Sequence, residues 1–167
     1  MMTHNKILPL SSLLKVLQQH RVKKEKIIFT NGCFDILHMG HIQYLEKAKS
    51  LSGILIVALN SDSSIRKIKG DKRPIFSQLE RTQLIASLQC VDYVTLFEDE
   101  TPLSLIEKIK PDYLVKGADW NESEIIGREI VSANDGEVIR IPLTQGYSTS
   151  KIIDQILKKY SFNSDIT

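Results

Sequence analysis

The segment GILIVALN, from Gly53 to Asn60, is apolar without alternation. A strand written this way needs cover on both faces, which is the situation of a parallel sheet clothed by helices on either side. Shorter runs of the same kind recur at Ile27-Ile28-Phe29, at Asp92 to Leu96, at Tyr113-Leu114-Val115-Lys116-Gly117 and at Gly136 to Pro142. Helical patterns lie between them. Alternation of strand and helix predicts an α/β fold with one doubly wound sheet of about five parallel strands joined by right-handed crossovers.

The helix signals are local. Ser11-Ser12 ahead of LLKVLQQHR reads as a capped helix. HIQYLEKAKSL follows the first strand, after an intervening loop, as a second. Ser61 to Phe76 reads as a polar loop. Ser77 then caps QLERTQLIASL, with Glu80 three residues on as the partner of a capping box. Thr101-Pro102 opens another helix, Pro111-Asp112 ends it, and Ser150 starts the last. The organisation expected is a short N-terminal helical segment over residues 1–25, one domain over 26–160, and a flexible tail over 161–167.

Composition excludes several classes. The chain has 167 residues, enough for one domain with a real core. Lysine plus arginine number 22 against 20 acids, and the net charge of +2 does not argue for a nucleic-acid partner. Cys33 and Cys90 are too far apart for a CxxC site and too few for a disulfide framework. No stretch has the apolar length to span a membrane, and the N-terminus lacks the layout of a signal peptide. A cytoplasmic location is the expectation.

The chemistry concentrates in NGCFDILHMGH, Asn31 to His41, where the first strand hands over to a helix. His38 and His41 stand three residues apart at that helix start, with Gly40 between them leaving the backbone open to close approach. Helix N-termini offer unpaired N–H groups and a positive dipole end, which suit phosphate. Imidazoles can add donors without the desolvation cost of a fixed cation. The plainer alternative is two polar residues at a helix start. A zinc site would need further ligands, and no nearby cysteine or carboxylate completes a usual spacing. Cys33 lies inside the string, but the reading favoured for it is a small packing residue rather than a nucleophile.

Three further motifs stand beside it. KGDKRP, Lys69 to Pro74, packs Lys69, Lys72 and Arg73 around a glycine turn and could clamp phosphates, or be a solvated basic loop. YSTSKII places Ser148, Thr149 and Ser150 after Tyr147 at a helix start, either as ordinary caps or as a second phosphate-holding N-terminus. VKGADW ends the fourth strand, where Asp119 and Trp120 could meet a nucleoside or, for the tryptophan, fill core. Asp35 would repel substrate unless it orients the loop by backbone hydrogen bonds.

Together NGCFDILHMGH, KGDKRP, LVKGADW and YSTSKII resemble the D-glycero-β-D-manno-heptose 1-phosphate adenylyltransferase family, within the cytidylyltransferase-like HxGH nucleotidyltransferases. The resemblance implies a Rossmann-like sheet with the first and fourth strands adjacent. It implies transfer of AMP from ATP to a heptose 1-phosphate by direct in-line attack, giving ADP-heptose and pyrophosphate. His38, His41, Lys69 and Arg73 would be catalytic. Asn31, Gly32, Cys33, Phe34, Gly40, Lys116, Gly117, Asp119, Trp120, Tyr147, Ser148, Thr149 and Ser150 would bind the nucleotide. Asp35 and Arg81 would orient the site, although an arginine on a helix is more often a solvated face. Mg²⁺ would arrive with ATP, with no protein metal site. Also implied are a homodimer, no nucleic-acid or membrane partner, and a heptose kinase on a separate chain. Glycerol 3-phosphate cytidylyltransferases share the first motif and are the nearest alternative; a nucleotide-binding regulator on the same fold is the non-enzyme one.

Overall fold

The computed structural model describes residues 2–160, and the tail expected over 161–167 lies outside the described residues. A short helix α1 (Thr3–Lys6) and a longer α2 (Leu10–Val22) precede strand β1 (Ile27–Gly32). Then follow α3 (Met39–Lys49), β2 (Ile54–Asn60), α4 (Asp62–Lys69), α5 (Gln78–Ser87), β3 (Tyr93–Phe97), α6 (Leu103–Ile109) and β4 (Tyr113–Gly117). A 3₁₀ turn at Glu122–Glu124, α7 (Arg128–Ala133), β5 (Glu137–Ile141) and α8 (Thr149–Tyr160) complete it.

All five strands are parallel, in the order β3-β2-β1-β4-β5. The strand alternation that the unbroken apolar runs conceal is visible in the packing. Ile27 and Phe29 of β1, with Ile56 and Ala58 of β2, face a core shared with Leu13 and Leu17 of α2, Leu105, Ile106 and Ile109 of α6, and Val131 of α7. Ile28, Leu55, Val57 and Leu59 face the opposite core with Tyr44, Leu45 and Ala48 of α3 and Ile85 and Ala86 of α5. Both faces are therefore buried, and the inward positions of the central strands are apolar apart from Thr30, whose hydroxyl pairs with that of Tyr44, and Asn60, whose amide donates to Ser64 Oγ. The N-terminal segment belongs to the same body: Ile7 bridges Val94 of the edge strand, and the Lys6 ammonium donates to the Leu88 and Val91 carbonyls at 2.9 and 2.7 Å.

Three details differ from the sequence expectation. The segment Ser61–Phe76 is not all loop, because Ser61 caps α4 by accepting from the Ser64 N–H at 3.2 Å, with Ile65 buried beneath. Ser11 and Ser12 do not cap α2; they sit in its first turn behind Pro9. The short α7 was not legible; its one fully buried residue is Val131, too little for a periodic signal. The capping box at Ser77 and Glu80 is present.

Candidate active site

Strand order reverses between β1 and β4, and the loops leaving their C-terminal ends open a cleft of about 530 Å³. The two histidines sit on its floor. His38 is the N-cap of α3, and its Nδ1 accepts from the His41 N–H at 3.3 Å. In a neutral ring an accepting Nδ1 leaves the proton on Nε2. The two imidazoles stack, centroids 3.7 Å apart and 15° from parallel, and Phe34 backs His41 at 5.1 Å. Burial, then the neighbouring His38 and Lys69, push the His41 pKa down to about 4, and burial lowers that of His38. Both rings are thus neutral donors near pH 7. His41 Nδ1 is buried and has no partner among the described residues. Gly40 makes a close approach here: a Cβ would press on the His38 ring at 3.2 Å and on Tyr147 at 3.1 Å.

Asp35, with 1% exposure, fastens the cationic loop to the signature loop. Its carboxylate accepts from the Ile75 and Phe76 N–H groups, each at 2.9 Å, and from Arg73 Nε at 2.6 Å. Burial pushes its pKa up, but the Phe76 and Ile75 N–H groups and Arg73 outweigh that and hold it below the ordinary value. Only Nε of Arg73 is engaged among the described residues, so its terminal nitrogens are left for the cleft that the residue lines. Lys69 ends α4 and lines the same wall.

Arg81 is not a solvated residue on a helix face. It is fully buried, and its guanidinium donates to the carbonyls of Phe76 at 3.1 Å, Cys33 at 2.7 Å and Asn60 at 2.8 Å and to Asp62 Oδ1 at 2.8 Å. One side chain thereby ties the signature loop, the end of β2, the start of α4 and the start of α5. The orienting residues Asp35 and Arg81 both act on loop backbone.

The opposite wall comes from β4 and α8. The Lys116 ammonium donates to Asn31 Oδ1, and burial brings its pKa down to about 8. Gly117, Asp119 and Trp120 line the cleft, and Trp120 is 51% exposed, so it is not a core residue. Ser148 caps α8, its Oγ accepting from the Lys151 N–H at 3.2 Å. Tyr147, Ser148, Thr149 and Ser150 all line the cleft, and Tyr147 stands 6.3 Å from His38, so the α8 N-terminus opens towards the histidines. Asn31, Gly32, Cys33 and Phe34 line the floor, and burial raises the Cys33 thiol pKa, which makes it a poor nucleophile. Ile68, Glu100, Glu124, Ile126 and Thr144 also line the cleft without having been singled out in the sequence. Their common signal is position, shortly after the C-terminal end of a strand.

No cluster of three or more His, Cys, Asp or Glu suited to a metal occurs among the described residues. Nor is any described helix long and apolar enough to cross a membrane.

The cytidylyltransferase-like family model matches residues 29–155. The chain is 56% identical over 154 residues to the bifunctional protein HldE of Helicobacter pylori strain Shi470, covering 92% of this chain and 32% of that protein. It is 47% identical to the protein of the same name from Citrifermentans bemidjiense, covering 93% and 32%. The chain thus spans about a third of the length of these curated relatives. Among solved structures, the lipopolysaccharide core biosynthesis protein of Thermoplasma volcanium superposes with a TM-score of 0.60 at 30% identity, over 70% of this chain and 96% of that one. With the parallel sheet, the paired histidines at the switch point and a family match over most of its length, the chain belongs to the cytidylyltransferase-like family of nucleotidyltransferases.

Proposed function

We propose that this domain transfers AMP from ATP to the phosphate of a heptose 1-phosphate, releasing pyrophosphate and forming an ADP-heptose. The observation that carries the proposal is the lining of one cleft: neutral, stacked His38 and His41 at a helix N-terminus, flanked by Lys69 and Arg73 and faced by Lys116 and a second helix start. Such a site suits two phosphates that repel each other and must be brought together. The four motifs that resemble the heptose adenylyltransferases, and the similarity to HldE and to a lipopolysaccharide core biosynthesis protein, support the acceptor.

The acceptor phosphate is already an anion, so its oxygen attacks the α-phosphorus without a general base, and pyrophosphate leaves on the far side. The protein's task is to position the two and neutralise charge that builds in the transition state. His41 and His38 donate to phosphate oxygens as neutral imidazoles, and Lys69 and Arg73 meet the charge between acceptor and leaving group. Asp35 keeps Arg73 aimed at the cleft. The α8 N-terminus takes the pyrophosphate end. Mg²⁺ fits as a companion of the triphosphate rather than a resident of a protein cage, since the buried carboxylate Asp35 is already engaged by Arg73 and two N–H groups. Bound there, it would neutralise the β- and γ-phosphates. With no covalent intermediate, configuration at phosphorus inverts in the single step.

Use of ATP puts the reaction in the cytoplasm, and a kinase must supply the heptose 1-phosphate. A homodimer is the assembly that the resemblance favours, to be checked by sedimentation. The deciding experiment measures pyrophosphate release with Mg²⁺, crossing ATP, GTP and CTP against D-glycero-β-D-manno-heptose 1-phosphate and glycerol 3-phosphate. Release with ATP and the heptose supports the proposal. Release with CTP and glycerol 3-phosphate, or none in any pairing, overturns it.

A further inference from the structure

The two helix starts that meet at the cleft, those of α3 and α8, are fastened very differently. Each of α1 to α7 has at least one buried residue, and α8 has none. Strand β5 ends at Ile141, whose carbonyl accepts from the Ala118 N–H at 2.9 Å. From Pro142 to Tyr160, one hydrogen bond among the described residues reaches another part of the chain. Thr144 Oγ1 donates it to Gln43 Oε1, and both residues are half-buried. No ion pair among the described residues involves this segment. Leu143 lies over Gly117 and Tyr147 over Gly40, but both side chains are half exposed.

Gln43 belongs to α3, the helix that His38 caps and that has His41 in its first turn. The bond therefore runs from the histidine helix to the strap leading into α8, and it bypasses the sheet. Between Thr144 and the start of α8, Gly146 turns the strap at a φ of +92°, with open space where a Cβ would stand. Among the described residues, no other hydrogen bond sets how far the α8 N–H groups and the Ser148 to Ser150 hydroxyls stand from His38 and His41. In-line displacement is sensitive to that spacing, because the α-phosphorus and the leaving pyrophosphate belong to one triphosphate. A shift of about 1 Å in a positioning element can cost on the order of a hundredfold in rate. We propose that Gln43 and Thr144 are positioning residues, whose hydrogen bond sets the α8 N-terminus against the histidine helix and so fixes where the pyrophosphate end of the nucleotide is held. This rests on the nucleotidyltransferase reading above.

A bond that merely held the strap to the body would leave the choice among nucleotides untouched. A positioning bond acts only on ligands long enough to touch both helix starts. ATP reaches from the histidines to α8 through its β- and γ-phosphates, whereas AMP ends at the histidines. Loss of the bond therefore separates the two nucleotides. Either orientation of the Gln43 amide preserves the contact, because the Thr144 hydroxyl can donate or accept. Removing the polar group from either side chain thus removes the same interaction.

Calorimetric titration of the whole chain with Mg·ATP, and separately with AMP, tests this in wild type, Gln43→Leu, Thr144→Val, the double variant and Thr144→Ser. Gln43→Leu and Thr144→Val should each weaken Mg·ATP about fivefold to tenfold, as loss of one hydrogen bond does, and leave AMP within about twofold. The double variant should bind Mg·ATP no more weakly than the weaker single, because all three lack the same bond. Thr144→Ser keeps the hydroxyl and should bind both nucleotides as wild type does. An unchanged binding stoichiometry separates these effects from a loss of folded protein, and if one single variant fails to fold, the other is compared with Thr144→Ser. Single effects that multiply in the double variant, equal losses for Mg·ATP and AMP, or wild-type Mg·ATP binding by both singles overturn the inference alone. A wild type that binds neither nucleotide overturns the nucleotidyltransferase reading along with it.

Discussion

On the β1–β2 side of the cleft, Asp35 and Arg81 are buried and each holds several partners, so the loops carrying Cys33, Arg73 and Phe76 are tied to one another. On the β4–α8 side, Trp120 and Tyr147 are each about half exposed, and α8 has no fully buried residue. The first wall is finished before any ligand arrives. The second presents an aromatic ring, carboxylates and a helix N-terminus with little behind them. Charge stabilisation in a transition state rewards donors that need no rearrangement, and that is what the tied wall supplies. Recognition of the remainder of two substrates needs surface that a ligand can complete, and the open wall has it.

The largest effect is expected at Arg81. Arg81→Met leaves Asp62 and three carbonyls without their donor, and should cost about 3–5 kcal/mol in chemical denaturation, as breaking a buried pair does. A midpoint unchanged from wild type would mean that the loops do not depend on this tie. Next is His41→Ala, which should lower kcat by about 10²–10³-fold, the effect of removing one transition-state donor. Its circular dichroism spectrum should stay that of wild type; retained turnover would take the imidazole out of the phosphate site.

A pH series sharpens the same contrast. His41 is held at a pKa of about 4 in the fold against about 6.5 for an exposed histidine. Between those values the unfolded chain binds the extra proton, so the contribution of neutral His41 is present above pH 6.5 and is lost as pH falls towards 4. His38 is shifted in the same direction. The lowered carboxyl of Asp35 adds a second loss further into acid. Thermal melts of wild type from pH 7 to 5 should therefore fall, and His41→Gln should fall less steeply; parallel slopes would refute the assignment. The smallest effect on stability is expected at Trp120. Trp120→Ala should leave folding within about 0.5 kcal/mol, as substitution of an exposed residue does, while raising KM for one substrate. A large loss of stability would show that the open wall is structural after all.

Much of this was legible in local chemistry. Unbroken apolar runs state that both faces of a strand are covered, so Ile54–Asn60 reads as a central strand without any knowledge of its neighbours. Ser77 and Glu80 announce a helix start because a capping box is satisfied within four residues. The histidine pair reads as a helix-start site for the same reason. Less legible were α4, a helix of 8 residues in which Ile65 and Ile68 are the two apolar side chains among polar ones, and α7, with a single fully buried valine.

Neighbours a few positions apart determined the succession of strands, most of the helices between them and the types of residue brought to the strand ends. Tertiary structure alone decided what those residues do. Arg81 meets Cys33 and Asn60 from 48 and 21 residues away, Asp35 meets Phe76 from 41, and Lys116 meets Asn31 from 85. Whether an arginine is a solvated helix residue or a buried tie, and whether a lysine is paired or left facing a cleft, is set by which distant groups the sheet order brings alongside. Long-range hydrogen bonds and the burial of a single charged side chain leave no periodic mark along the chain, so they entered only when the chain folded.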